Sequence, residues 1–208
     1  MILIGQYDSP FVRRVGVALS LYQLPFEHRP WSTFADADKI RPYNPLVRVP
    51  TLVLDSDEVL IESHHIIDHL DGLVSVDRRM YPAAEPVRHQ ALKIAALATG
   101  LADKAVILFY ENRLHNHVSQ IWVDRCCSQI NAAIAALESA RCGATSNYWF
   151  GNRIGHSDIA VACAIRFVVE AHPGLVSPND FPLLAADAAR LEALPVFQSI
   201  SQRFIPPS

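Results

Sequence analysis

Tyr7-Asp8-Ser9-Pro10-Phe11-Val12-Arg13-Arg14 follows the short apolar run Met1 to Ile4, and here strand gives way to helix. Pro10 suits the first helical position, because the N–H it lacks is one the helix could not use. Ser9 then falls at the N-cap, beside first-turn amides that have no intrahelical partner and carry the positive end of the helix dipole. Such a terminus suits an anion. The Ser9 hydroxyl either caps the helix or donates to a bound anion such as a thiolate, and this stretch alone leaves both open. Tyr7, at the end of the strand, offers a second hydroxyl near the same place. Asp8 between them would oppose an anion unless its carboxylate turns into water.

Outward from this stretch, Met1 to Tyr7 reads as a strand and Pro10 to Leu24 as a helix with an apolar face through Val12, Val15, Val17, Ala18, Leu19 and Leu21. Phe26 to Arg29 reads as a second strand, followed by a polar stretch from Trp31 to Pro45. Val49 to Leu54 and Glu58 to Ile61 are β-rich runs joined by Asp55-Ser56-Asp57, a hairpin signal. Glu62-Ser63 opens a helix carrying Ile66, Ile67 and Leu70. The order is βαβ, then ββα. Pro82 and Pro86 mark a linker, and beyond it the helical signals are Val87 to Leu114, Val118 to Ala140, His156 to Val169, Leu183 to Leu194 and Val196 to Phe204. The expected architecture is a small α/β domain over residues 1–75, a linker over 76–86 and an all-helical domain over 87–208.

Composition narrows the function classes. The 208 residues are 50% hydrophobic and 19% charged, which describes a globular chain, and the net charge of −3 gives no electrostatic footprint for nucleic acid. No run approaches the roughly 18 apolar residues of a membrane helix, and no signal peptide is recognisable, so a soluble cytoplasmic protein is expected. Cys126, Cys127, Cys142 and Cys163 lack C-x-x-C or zinc spacing and read as free thiols. His65 and His69 are i, i+4 in a cluster with His64. Without a third ligand or an E-x-x-H context they read as helix histidines, and no metal is expected.

Two further stretches carry chemistry. In Arg48-Val49-Pro50-Thr51-Leu52 a proline enters a strand; if its peptide bond is cis, the Val49 backbone is free to pair with an extended ligand. At Glu62-Ser63 a carboxylate and a hydroxyl sit where strand becomes helix. Ser63 could hold a carboxylate while Glu62 accepts from an amino group, or Ser63 could simply cap. An α-amino acid end at Glu62 and Ser63, a peptide backbone at Val49 and a thiol at Ser9 together describe glutathione lying along a sheet edge.

At this point the chain resembles the cytosolic glutathione transferases. The resemblance rests on S-P-F-x-x-R-V at Ser9, on N-P-x-x-x-V-P-x-L at Asn44 to Leu52, and on E-S-x-x-I-x-x-x-L at Glu62 to Leu70. Gly151-Asn152-Arg153-Ile154-Gly155-His156-Ser157-Asp158-Ile159-Ala160 is similar to the family's N-capping box and hydrophobic staple, with Gly155 as cap and Asp158 at N3. Serine-type members such as the tau class share the S-P-F stretch, and the chain resembles a serine-type, tau/theta-like, bacterial-style member. The resemblance implies a thioredoxin-like domain followed by a helical one, and a homodimer. It implies that Ser9 donates to the sulfur and does not become a covalent nucleophile. It also implies that Val49 and Pro50 present backbone to the cysteinyl residue, that Glu62 and Ser63 hold the γ-glutamyl end, and that Arg48 meets the glycine carboxylate or solvent. Tyr7 remains the competing hydroxyl.

An electrophile pocket is expected between the domains, near Phe11, Leu101, Ala105, Phe109, Tyr110 and Phe204. The implied reaction is attack of glutathione thiolate on a small hydrophobic electrophile, with peroxidase or dehalogenase chemistry as variants of the same thiolate. Serine in place of cysteine at position 9 argues against thiol-disulfide exchange, and the missing S-S-C motif argues against maleylacetoacetate isomerase. The alternative is a glutathione-binding or protein-interaction module of the same fold without turnover.

Overall fold

The computed structural model describes residues 1–206. Two compact units emerge, one formed by residues 1–80 together with the chain from Ala193 onward, the other by Tyr81–Glu192.

The first unit opens with β1 (Ile2–Ile4), α1 (Pro10–Tyr22), β2 (Glu27–Arg29), a single-turn α2 (Ala37–Ile40), β3 (Thr51–Val53), β4 (Val59–Ile61) and α3 (Ser63–Gly72). The sheet order is β2-β1-β3-β4, with β1 parallel to β2 and antiparallel to β3, and β3 antiparallel to β4. Alternation along the strands sends Leu3, Leu52 and Leu60, which stand opposite one another, to one face, where α1 and α3 pack. Ile4 and Val53 turn to the other face and are buried with Ile40 beneath Trp31, Tyr43, Val47 and Val49. The stretch read as merely polar therefore covers the second face of the sheet.

The second unit is a helical bundle of α4 (Val87–Leu114), α5 (Gln120–Cys142), α6 (His156–Ala171) and α7 (Pro182–Glu192). α4 packs on α5 and α6, and α6 on α7. α6 is buried on almost every side, and its start is built as the sequence reads: Asp158 Oδ2 accepts from the Gly155 amide at 2.9 Å, while Oδ1 accepts from the Trp149 amide at 3.1 Å.

α8 (Pro195–Ser199) returns to the first unit and packs on α1. A helix through Phe204 is expected from the apolar pattern, but it ends at Ser199. The Phe197 and Ile200 carbonyls are taken by Arg13, whose Nη2 and Nε donate to them at 3.0 and 2.8 Å, and residues 201–206 run on without regular structure. No helix among the described residues is long and apolar enough to cross a membrane.

Candidate functional site

Strand register brings three loops to one end of the sheet. Ile4 stands opposite Thr51, and Thr51 opposite Ile61, so the end of β1, the start of β3 and the end of β4 are neighbours. The turn carrying Ser9, the loop before Pro50 and the Glu62-Ser63 junction leave the sheet together. Gly5 determines how closely the first two approach. Its φ is +128°, and a Cβ on it would stand 2.5 Å from Val12 Cγ2 and 2.8 Å from Val49 Cβ. The first turn of α1 and the Val49 loop thus close over a point that only glycine leaves open.

Ser9 caps α1, its Oγ accepting from the Val12 amide at 3.4 Å. A hydroxyl that accepts there still has its own proton to donate, so cap and anion donor are compatible roles. Tyr7 is placed differently. It is only 8% exposed, its ring stacks on His28 with centroids 3.8 Å apart, and a Cβ on Gly16 would lie 2.9 Å from its Cε1. Gly16 is about two turns into α1, so the Tyr7 ring lies under the body of the helix. Burial pushes its phenol up to about 12. Asp8 Oδ2 accepts from the Ile205 amide at 3.2 Å.

The Val49-Pro50 bond is cis. Pro50 is buried, Val49 is half-buried, and neither its amide nor its carbonyl is hydrogen-bonded among the described residues. The loop is held from inside by Asn44, 1% exposed, whose Nδ2 donates to Arg48 O at 2.9 Å and to Thr51 Oγ1 at 3.1 Å and whose Oδ1 accepts from the Leu46 amide. The loop also contains Val47 at a φ of 49°, a left-handed conformation rare for a β-branched residue. Glu62, the N-cap of α3, has φ 65° and ψ 124°. Each such residue costs about 1–3 kcal/mol and persists only where its surroundings enforce it, most often at ligand sites. Glu62 Oε1 pairs with Arg48 Nη1 at 3.1 Å on the surface.

Ser63 is 3% exposed and its Oγ accepts from Arg14 Nη1 at 3.3 Å. Arg13 and Arg14 are both almost wholly buried, and neither was among the site residues expected from the sequence. The available signal was a helix apolar on nearly every face, which leaves an arginine no exposed side to occupy. Beside Arg14, partial burial and the guanidinium charge pull the His64 imidazole down to about 4. Among the described residues no group of three or more His, Cys, Asp or Glu side chains is arranged to hold a metal ion.

The expected pocket residues divide between the units. Phe11 and Phe204 are half-buried in the first. In the second, Leu101 and Ala105 are buried on α4, and the Ala105 carbonyl faces His172 Nε2 at 2.8 Å. Phe109 and Tyr110 keep part of their rings in solvent and contact each other at 6.0 Å.

Comparison with known proteins gives two family matches: the glutathione S-transferase N-terminal domain over residues 3–77 and the glutathione S-transferase C-terminal domain over residues 120–186. Together they span more than half of the chain. The protein belongs to the glutathione S-transferase superfamily. It is 28% identical over 169 residues to the "Uncharacterized GST-like protein YibF" of Escherichia coli, covering 81% of this chain and 82% of that one. It is 26% identical over 216 residues to a "Probable maleylacetoacetate isomerase" of Vibrio cholerae, covering 95% and 93%. A glutathione S-transferase structure from Methylobacterium radiotolerans, in complex with glutathione sulfonate, superimposes with a TM-score of 0.87 at 28% identity, covering 100% of this chain and 98% of that one. As a superfamily member, the chain has a thioredoxin-like α/β domain and an all-helical domain. Its relatives include both a transferase and an isomerase by name, so membership alone leaves the class within the superfamily open.

Proposed function

We propose that this protein is a serine-type, tau/theta-like glutathione transferase that joins the glutathione thiolate to small hydrophobic electrophiles. In this reading Ser9 donates its hydroxyl proton to the sulfur at the amino end of α1, where the unpaired amides and dipole favour the thiolate over the thiol. With an aryl chloride, the C–S bond forms as C–Cl breaks, chloride leaves, and the thiol proton has already passed to solvent. Val49 pairs its unsatisfied amide and carbonyl with the cysteinyl backbone. Ser63 holds the γ-glutamyl carboxylate. Glu62 accepts from the γ-glutamyl ammonium while keeping Arg48, since a carboxylate offers about four lone-pair sites. Arg48 is also within reach of the glycine carboxylate. Phe11 and Phe204, half-buried in the same unit as Ser9, belong to the acceptor side. A detoxifying role in the cytoplasm as a homodimer completes the proposal, with peroxidase or dehalogenase side activity open to the same thiolate.

The observation that carries this reading is the difference between the two hydroxyls. Ser9 sits at the helix terminus with its proton available, whereas Tyr7 is stacked under α1 with a raised pKa. Calorimetric glutathione binding and chlorodinitrobenzene turnover by wild type and Ser9→Ala test it. Binding retained with turnover lost is the expected result; full turnover by Ser9→Ala would remove the assignment.

A second reading is favoured by the similarity to the isomerase relative across nearly the whole chain. There the same thiolate adds to a conjugated double bond, the bond between the carbons rotates, and the thiolate leaves again. The S-S-C stretch expected of that reaction is missing, which keeps conjugation first. Turnover of maleylacetoacetate without net glutathione consumption would reverse the order. Tight glutathione binding with no turnover of either kind would leave a binding or interaction module.

A further inference from the structure

We infer that Asp8 is a positioning residue that controls which electrophiles reach the sulfur, by holding the segment Ser201 to Pro206 across the amino end of α1. The inference rests on the reading of Ser9 as the sulfur donor.

Four anchors, two on α1 and two on the residues that lead into it, define the path of this segment. Ile200 Cγ2 meets the bare backbone of Gly16, where a Cβ would stand 2.9 Å away. Arg13 takes the Phe197 and Ile200 carbonyls and stacks its guanidinium 5.3 Å over the Phe197 ring. Gln202 Oε1 accepts from the Tyr7 amide at 3.3 Å, and Asp8 Oδ2 accepts from the Ile205 amide at 3.2 Å. The chain therefore runs back along α1 from its middle towards its start, and its last two anchors are the residues immediately before Ser9. Phe204, half-buried, lies between those anchors, and Ile205 is 56% exposed.

The two ends of this path differ in strength. Around Arg13 the contacts are buried, whereas beyond Ile200 the segment has no regular structure, its Gln202 bond is part-buried and its Ile205 bond is exposed. Segments with few buried contacts open locally at low free energy. An acceptor approaching a sulfur at the amino end of α1 meets Phe204 and Ile205 as long as the Asp8 bond holds. Compact acceptors fit beside them, and bulky ones require the segment to lift. The same bond turns the Asp8 carboxylate towards a donor in the segment, so its charge is partly satisfied there instead of opposing the thiolate.

Three substitutions separate anchoring from charge. Ile205→Pro removes the amide proton that Asp8 accepts and leaves Asp8 intact. Asp8→Ala removes the acceptor, and Asp8→Asn keeps an acceptor oxygen without the charge. The readouts are amide hydrogen exchange over residues 201–204 and the ratio of kcat/KM for chlorodinitrobenzene to that for the bulkier hexyl ester of chlorodinitrobenzoic acid. Ile205→Pro and Asp8→Ala are expected to speed exchange and to move the ratio about tenfold towards the ester, a change typical of altered pocket shape. Asp8→Asn should stay near wild type in both. An unchanged ratio in Ile205→Pro and Asp8→Ala overturns the inference, as does Asp8→Asn behaving like Asp8→Ala. If calorimetry finds no glutathione binding by wild type, the transferase reading falls and this inference falls with it. Binding with an unchanged acceptor ratio overturns this inference alone.

Discussion

Arg14 Nη1 donates to the Ser63 hydroxyl across 3.3 Å, and both residues are buried within the α/β unit. The bond ties the second turn of α1, which Ser9 caps, to the first residue of α3. A buried cation thus sets the distance between the proposed sulfur and γ-glutamyl ends of the site.

Arg14→Leu leaves Ser63 without this donor and the site without its buried cation. Leaving a buried polar group without its partner costs about 1–3 kcal/mol, and glutathione affinity should fall about tenfold, or about 1.4 kcal/mol. Arg14→Lys keeps the charge but not the planar fork and should fall between. Urea unfolding and calorimetry measure the two effects separately; undiminished glutathione affinity in Arg14→Leu would show that Ser63 needs no such support.

Ser9→Ala should lower kcat/KM about a hundredfold, the scale of losing one donor to a developing or bound anion. Its stability should fall by only about 1 kcal/mol, the typical worth of an N-cap. Tyr7→Phe keeps the stack on His28 and should leave the pKa of bound thiol close to wild type. Ultraviolet absorbance of the thiolate against pH distinguishes the two: in Ser9→Ala the titration moves upward. A large upward move in Tyr7→Phe instead would transfer the role to the phenol.

Gly5→Ala forces a methyl into a point already within 2.5 Å of Val12 and 2.8 Å of Val49, at a φ of +128°. Backbone strain and overpacking together should cost more than about 2 kcal/mol. Because the Val49 side of the clash is the proposed cysteinyl-pairing loop, glutathione affinity should fall as well. A denaturant midpoint equal to that of wild type would contradict the close approach.

Asp158 gives a pH signature. Burial raises its carboxyl to about 6 from an ordinary value of 3.8, although the Trp149 and Gly155 amides pull it back down. The folded state therefore holds this proton more tightly than the unfolded chain. The group's contribution to stability is largest below about pH 4, is lost as pH rises to about 6, and is constant above that, a change of about 3 kcal/mol. Carboxylates such as Asp36 and Glu111, lowered by hydrogen bonds, run the opposite way. The measurable quantity is consequently the difference between wild type and Asp158→Asn. The wild-type advantage should shrink between pH 4 and 6; a pH-independent difference would rule the titration out.

Much of the fold was legible because its signals are local. Pro10 after Ser9, and Asp158 three residues after Gly155, act within one helical turn, and both starts appear where the pattern places them. α4 spans Val87–Leu114 as read. The last helix is the counterexample: Val196 to Phe204 is apolar enough, yet it ends at Ser199 because Arg13, nearly two hundred residues earlier, takes its carbonyls. No pattern within the segment carries that information.

The sequence by itself therefore determined the order of the strands and of the long helices and the starts of α1 and α6, and suggested Ser9, Val49, Pro50, Glu62 and Ser63 as one candidate set, since motif and spacing are properties of neighbouring residues. Only the tertiary structure decided where Tyr7 points, that Arg13 and Arg14 are buried, and that Asp8 faces Ile205. A side chain at the end of a strand can turn to either side of the chain, and an arginine at a helix surface is exposed or buried according to what packs over it. Those outcomes depend on Gly16, Ser63 and residues 197–205, which approach α1 only once the chain has folded.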